Sequence, residues 1–326
     1  MSKILITGAA GFIGYHLASS LVRQGHSLTL VDNLKRGQRD QDFESLLNQP
    51  KIKFLALDLT EKESFKKLEG EYDFIYHLAA INGTKNFYTI PDQVIKVNVL
   101  STLYLLDWMR KNSKAKILYS SSSETYAGTT ELVEGLIPSR EDIPLCIEDI
   151  TNVRWSYGAS KLLAESALFS FARVQPLRFS IVRYHNIYGP RMGFDHVLPQ
   201  FFERIFKGEL PLKVFGGQET RSFCYVSDAV AATERVMMSE SANGQIVHIG
   251  NSDELKIRDL AKLVLEICNK PTDIIIEKAP EGSVKRRCPN TEKLKKLGHQ
   301  SIVTLKEGLE EMRLWYQKRF IEGQAA

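Results

Sequence analysis

The sequence predicts an α/β protein: a parallel sheet sheathed by helices on both faces, with a smaller lobe interleaved late in the chain. Two observations carry this. Short, nearly all-apolar runs alternate with helical segments through the first half, the pattern of strands buried on both faces. After Arg183 that alternation gives way to longer loops carrying Pro190, Pro199 and Pro211. At roughly 150 residues per domain, a chain of 326 residues fits about two such units.

The first strand, 4–7, runs Ile4-Leu5-Ile6-Thr7 and breaks at Gly8, where a helix over 12–24 begins. A second strand, 28–31, ends at Asp32, and strands at 54–57, 74–77, 117–120 and 179–183 follow. Helices are expected at 61–68, 94–111 and 156–174 between them. Beyond Arg183 come a helix at 198–207, a short strand at 212–215 and a strand at 246–249 that returns to the main sheet. Helices at 257–269, 291–297 and 305–320 finish the chain. The expected division is a first domain over 1–183 plus about 227–254 and a lobe over 184–226 plus 255–326, with a cleft between them. Helices 94–111 and 156–174 are apolar on more than the one stripe that a sheet-covering helix needs, which predicts a homodimer seam.

Composition is that of an ordinary globular protein, with 43% hydrophobic and 25% charged residues, and this excludes intrinsic disorder as the main reading. The net charge of +4 comes without a dominant Lys/Arg block, so nucleic acid is not the expected partner. No stretch approaches the roughly 18 apolar residues of a membrane span, and the start lacks the longer apolar run of a secretion signal. Cys146, Cys224, Cys268 and Cys288 are scattered, with neither zinc-ligand spacing nor a disulfide framework. A cytoplasmic protein with no bound metal is expected.

Gly8-Ala9-Ala10-Gly11-Phe12-Ile13-Gly14 follows a strand and opens a helix. Glycines there permit a tight turn, let the backbone approach a pyrophosphate and let helix and strand pack closely, while the helix N-terminus presents amide N–H groups. The spacing is GxxGxxG, and as an isolated match it could be only a tight turn. Asp32 supports the stronger reading. An acid ending the second strand hydrogen-bonds the adenosine ribose hydroxyls and repels a 2′-phosphate, which favours NAD over NADP. Arg36, four residues on, reads as a solvated loop arginine that would otherwise soften this preference.

Tyr157 and Lys161 stand at i and i+4 on one helix face. A tyrosine is a poor base at its ordinary pKa near ~10, and a neighbouring ammonium with a cationic nicotinamide would favour the phenolate. Upstream, a strand ends in Tyr119-Ser120-Ser121-Ser122-Ser123-Glu124-Thr125-Tyr126. Parallel sheets bind ligands at such strand ends; a serine there suits a hydroxyl being oxidised, and Glu124 is a candidate second acid/base. The alternative is a polar loop whose serines satisfy backbone groups.

These motifs together resemble an extended short-chain dehydrogenase/reductase of the nucleotide-sugar epimerase/dehydratase/decarboxylase family. The resemblance runs through Thr7–Gly14, Asp32-Asn33-Leu34, Asp58-Leu59, His77-Leu78-Ala79-Ala80, Asn98, the serine run and Tyr157/Lys161. It continues through Arg183–Arg191, Arg221–Asp228 and Arg286-Arg287-Cys288-Pro289, and so covers essentially the whole chain. It implies a Rossmann-like, doubly wound sheet with a C-terminal lobe for the substrate. It implies Ser122, Tyr157 and Lys161 as catalytic residues, with Glu124 beside them. For NAD it implies Gly8, Gly11, Phe12, Ile13, Gly14, Asp32, Asn33, Asp58, Leu59, Ala79, Ala80, Asn98, Tyr157, Lys161 and Tyr184. For the nucleotide sugar it implies Asn186, Arg191, Arg221 and Arg287.

The family's shared first step is oxidation of the sugar at C4 by NAD, after which the 4-keto sugar is re-reduced, dehydrated or decarboxylated. Glu124 favours the latter two, since 4-epimerases of the family usually have no acid there. The stretches 188–192 and 221–226 and the corner at Arg287 look most like UDP-glucuronate decarboxylases, in which a cation faces the sugar carboxylate. The chain departs from them in having Ser122 where they usually have Thr, and in the region 77–90. UDP-glucuronate decarboxylation is the expected reaction, with UDP-sugar 4-epimerisation and NDP-sugar 4,6-dehydration as alternatives. A non-catalytic NAD(P)-sensing role is disfavoured by the presence of Ser122, Tyr157 and Lys161.

Overall fold

The computed structural model describes residues 1–279, 283–321 and 323. Seven parallel strands form the central sheet, in the spatial order Gln245–Ile249, Phe179–Tyr184, Lys116–Ser122, Phe74–His77, Lys3–Thr7, Ser27–Asp32 and Ile52–Ala56. The alternation of side chains along a strand divides the core between two faces. Ile4 and Ile6 point into one cluster with Leu17, Leu28, Leu30 and Val182. Leu5 points into the other with Val31, Ile75, Ile117 and Ile181. Every strand of the first half that the apolar runs predict is present.

Strand order places the cleft. From Lys3–Thr7 the chain builds outward through Ser27–Asp32 to Ile52–Ala56, then crosses to Phe74–His77 on the other side of the first strand. The carboxyl ends of Lys3–Thr7 and Phe74–His77 therefore diverge at a topological switch point, where open α/β sheets bind ligands. Gln245–Ile249 does return to the sheet, with Ile246 in register with Ile181.

The lobe is held by three small sheets, which pair Ile187–Tyr188 with Cys224–Tyr225, Leu212–Phe215 with Ile274–Glu277, and Thr220–Ser222 with Glu254–Lys256 and Arg286–Arg287. The closing helix, Leu305–Ile321, buries Leu309, Met312 and Tyr316 in the cluster on the Ile4/Ile6 face.

Two departures from expectation have physical reasons. The helix Val226–Met238 is not evident in the sequence pattern, because its buried stripe is largely small residues: Ala229, Ala232 and Thr233 beside Val226, Val230 and Val236. It packs on the helix Phe12–Arg23. The segment expected as a helix at 61–68 is instead a 3₁₀ turn, Lys62–Lys67, burying one residue, Phe65.

The helices Pro91–Asn112 and Ser156–Val174 lie side by side. Much of their apolar excess is covered by the chain's own core, including Val94, Leu105, Leu106, Met109 and Leu168. Ile95, Leu163 and Phe169 stay 45%, 50% and 42% exposed.

Candidate active site

A cleft of about 470 Å³ runs from the glycine turn to Arg287. Of the residues expected for cofactor and catalysis, all but Asn98 line it; of those expected for substrate, Asn186, Arg191 and Arg287 do and Arg221 does not.

At one end the glycines have no room to be anything else. Gly8 sits at φ +69°, and a Cβ there would lie 2.7 Å from Ala79 N. A Cβ on Gly14 would lie 2.2 Å from the carbonyl oxygen of Gly8. The helix Phe12–Arg23 begins at Gly11 with no side chain capping it, so its first amides face the cleft end unmasked. Asp32 accepts from Ala10 N at 3.0 Å and Leu34 N at 2.8 Å, locking the turn to the second strand. Burial pushes its pKa up, and those two backbone donors pull against the rise. Its remaining lone pairs can accept from a ribose. Asp58 is held well below the usual carboxylate range, against a desolvation cost, by Lys35, Thr60 and Asn33. A bare glycine cradle, an uncapped helix start and a carboxylate at the second strand's end fit a dinucleotide. Arg36 is an exposed loop arginine, as expected, and it also lines the cleft, with Asp195 and Asp32 as its acidic surroundings.

Midway, the strand Lys116–Ser122 and the start of the helix Ser156–Val174 bring the chemical residues together. Ser122 Oγ accepts from Glu124 N at 3.2 Å and stands beside Tyr157, whose pKa it pulls down. Tyr157 stacks on Phe87, with centroids 5.1 Å apart. Lys161 Nζ donates to Ser120 O at 2.7 Å and lies 5.7 Å from the Tyr157 ring centroid. Burial dominates both groups: it raises the Tyr157 pKa and pushes that of Lys161 down to about 7. The groups that pull the tyrosine down, Ser122 and then Arg36, are outweighed by desolvation, and a cationic partner in the cleft would add to them.

Three placements differ from the sequence expectation. Glu124 is ion-paired on both oxygens: Arg154 Nη2 lies 2.9 Å from its Oε2 and Arg287 Nη2 lies 3.0 Å from its Oε1. Against desolvation, those two guanidinium groups bring its pKa down to about 2, so it stays a fixed anion. Arg191 is spent elsewhere, its guanidinium pairing with Asp40 and packing 4.2 Å from the Tyr15 ring centroid on the cofactor side of the cleft. Asn98 does not reach the cleft; its amide bonds Ile81 N, Ile81 O and Ser160 Oγ, fixing the loop after the fourth strand against the Tyr157 helix.

Arg221 donates to Val284 O and Thr220 O, each at 2.7 Å, just behind Arg287. Burial and the Arg287 charge bring its pKa down to about 10. Asn186, at φ +42°, donates to Ser222 O at 3.0 Å.

Sequence reasoning missed Arg154 and the buried pair of Arg183 with Glu165. Arg154 carries the one available signal, being three residues before Tyr157 and so on the same helical approach. Glu165 stands one turn beyond Lys161, where its charge works against the desolvation of that ammonium.

The described residues contain no helix long and apolar enough to cross a membrane, and no group of three or more His, Cys, Asp or Glu placed to hold a metal.

The model of the NAD dependent epimerase/dehydratase family matches residues 4–250. A UDP-N-acetyl-alpha-D-glucosaminuronate decarboxylase from Bacillus cytotoxicus is 36% identical over 327 residues, covering 97% of this chain and 98% of that one. The UDP-glucose 4-epimerase of Thermotoga maritima, solved with UDP-glucose, superposes with a TM-score of 0.86 at 29% identity, over 98% of this chain and 99% of that one. The UDP-glucuronic acid 4-epimerase of Bacillus cereus, solved with UDP-glucuronic acid and NAD, gives 0.87 at 25% identity, over 97% and 99%.

Proposed function

The chain belongs to the NAD dependent epimerase/dehydratase family, and from that premise we propose that it decarboxylates a UDP-hexuronate, UDP-glucuronate first among them. It is an NAD-dependent nucleotide-sugar enzyme that oxidises the sugar at C4 and re-uses its bound cofactor. The observation that carries the reaction is the placement of Arg287 in the cleft, paired with Glu124 beside Ser122 and Tyr157. A cation there answers a carboxylate on the sugar, and 4-epimerisation of a neutral hexose has no use for one. The decarboxylase from Bacillus cytotoxicus supports the same reading.

The turn Gly8–Gly14 and Asp32 would hold NAD, which would supply the hydride acceptor, and later the donor, for C4. Tyr157 removes the proton of the C4 hydroxyl, and Ser122, beside it, holds that oxygen in line. The resulting ketone makes the C6 carboxylate a β-keto acid. The C5–C6 bond then breaks, carbon dioxide leaves, the electron pair delocalises onto the C4 oxygen, and C5 takes a proton from water before the hydride and the Tyr157 proton return to C4 and its oxygen. Lys161 holds positive charge beside Tyr157 while the phenolate exists. Arg221 supports the lobe end where the diphosphate is expected, and Asn186 turns the chain there.

The test is incubation of the purified protein with NAD+ and UDP-glucuronate or its 2-acetamido analogue, reading carbon dioxide release and a UDP-pentose by mass and NMR. A product of unchanged mass, inverted at C4, would make the enzyme a 4-epimerase, as the Bacillus cereus neighbour is by name. Loss of water would mark a dehydratase. Binding of NAD with no turnover of any UDP-, GDP- or dTDP-sugar would leave a sensor.

The exposed Ile95, Leu163 and Phe169 support a homodimer in which the helices Pro91–Asn112 and Ser156–Val174 of two copies form a four-helix seam. The four free cysteines fit a reducing, cytoplasmic setting.

A further inference from the structure

We infer that Arg154 determines specificity for an acidic sugar, acting through Glu124: it supplies the surplus positive charge that leaves Arg287 able to take a substrate carboxylate. The inference rests on the decarboxylase reading and adds to it a residue that never touches the sugar.

The charge balance at this corner is the starting point. Arg287 lines the cleft, but its one carboxylate partner among the described residues is Glu124, at 3.0 Å. By itself the Arg287–Glu124 pair is neutral, and Arg221 behind it, turned onto the Val284 and Thr220 carbonyls, adds the same background charge to every variant considered. A sugar carboxylate brought to it would gain from Arg287 and lose to Glu124 over nearly the same distance, with little net preference for an acid over a neutral hydroxymethyl group. Arg154 changes this. Its Nη2 occupies the other oxygen of Glu124 at 2.9 Å, so two guanidinium groups share one carboxylate and one positive charge is left over.

Position makes that charge effective. The side chains of Arg154 and Glu124 are only 7% and 13% exposed, so solvent screens them weakly. Arg154 is held between aromatic faces, with its Cζ 5.3 Å from the Phe87 centroid and 5.4 Å from that of Trp155. Phe87 also stacks on Tyr157, so the same ring fixes both the arginine and the catalytic tyrosine. Arg154 Nη1 is buried with no hydrogen-bond partner among the described residues, so Glu124 is the group that answers this guanidinium. Arg154 does not line the cleft, and it is therefore a positioning residue. Its effect reaches substrate through the orientation and charge of the Glu124–Arg287 pair.

This arrangement gives a charge ladder to test. Equilibrium binding of UDP-glucuronate and of UDP-glucose is measured by calorimetry on NAD-saturated protein, in the Tyr157→Phe background to stop turnover. The parent should favour UDP-glucuronate. Arg154→Met should lower that preference by about tenfold or more, through UDP-glucuronate alone. Glu124→Gln should raise it above the parent. The double variant Arg154→Met/Glu124→Gln keeps the parent's net charge at this corner and leaves no orphaned buried carboxylate, so it should fold and return to the parent's preference. Were Arg154→Met too unstable to purify, Glu124→Gln and the double variant still define the ladder. A preference that ignores these changes, with the parent still favouring UDP-glucuronate, overturns the role of Arg154 and leaves the decarboxylase reading standing. No preference in the parent itself sinks that reading, and this inference with it.

Discussion

The Lys161 ammonium is 1% exposed, donates to Ser120 O, and has its pKa pushed down to about 7 by burial. Unfolded, it would titrate near 10.5. Between those values the unfolded chain binds the extra proton, so this group's contribution to stability is least favourable below pH 7 and improves as pH rises toward 10.5. Lys161→Met should therefore melt higher than the parent at pH 6 in the cofactor-free protein, with the gap narrowing by pH 9 and closing only toward pH 10.5, while kcat collapses. A melting temperature that is lowered at both pH values would show that the Ser120 bond outweighs the desolvation. Tyr157→Phe should cost ~10²–10⁴ in kcat and little in nucleotide-sugar affinity, because the lost hydroxyl moves a proton and does not hold the diphosphate. Near-normal turnover in that variant would remove the mechanism.

The glycine turn and the closing helix act on one loop from opposite sides. Gly14→Ala forces a Cβ to 2.2 Å from the Gly8 carbonyl, a contact only backbone movement can relieve. It should destabilise by about 2 kcal/mol or more and abolish NAD retention, read by melting and by the nucleotide that co-purifies. On the other side, Arg319 of the helix Leu305–Ile321 donates to Asp40 at 3.0 Å and Asp42 at 2.9 Å, and Trp315 Nε1 donates to Asp42 at 3.3 Å. Arg191 pairs with the same Asp40 and reaches the carbonyls of Ala10 and Gln38, each at 3.4 Å. The C-terminal helix thus fastens the loop that follows Asp32. Arg319→Ala should speed hydrogen exchange across residues 34–42 and cost on the order of 1 kcal/mol, with the exchange of strand Lys3–Thr7 unmoved. Unchanged exchange in the loop would mean that Arg191 alone holds it.

At the scale of the molecule, the cleft lies between a sheet and a lobe, while the proposed dimer seam lies across the two helices that carry Asn98 and Tyr157. Replacing two exposed apolar side chains there with charge, as in Leu163→Asp/Phe169→Glu, should convert a dimer to a monomer in sedimentation. Binding of NAD should survive, since neither residue lines the cleft. A parent that sediments as a monomer at micromolar concentration would remove the seam.

Most of the fold was legible because its signals are local. An apolar run bounded by Gly8 or Asp32 declares a buried strand wherever it lies, and Gly11 and Gly14 are dictated by the backbone of Gly8 and Ala9 within the same turn. The pairing of Tyr157 with Lys161 follows from helical geometry alone. Charge states were not legible in this way. Whether Glu124 acts as an acid or a fixed anion depends on Arg154 and Arg287, which different elements bring to its two oxygens. Whether Arg191 meets substrate or Asp40 is settled by a contact spanning 151 residues. A side chain's protonation and partners depend on what surrounds it after desolvation, and only the tertiary structure decides which distant groups those are.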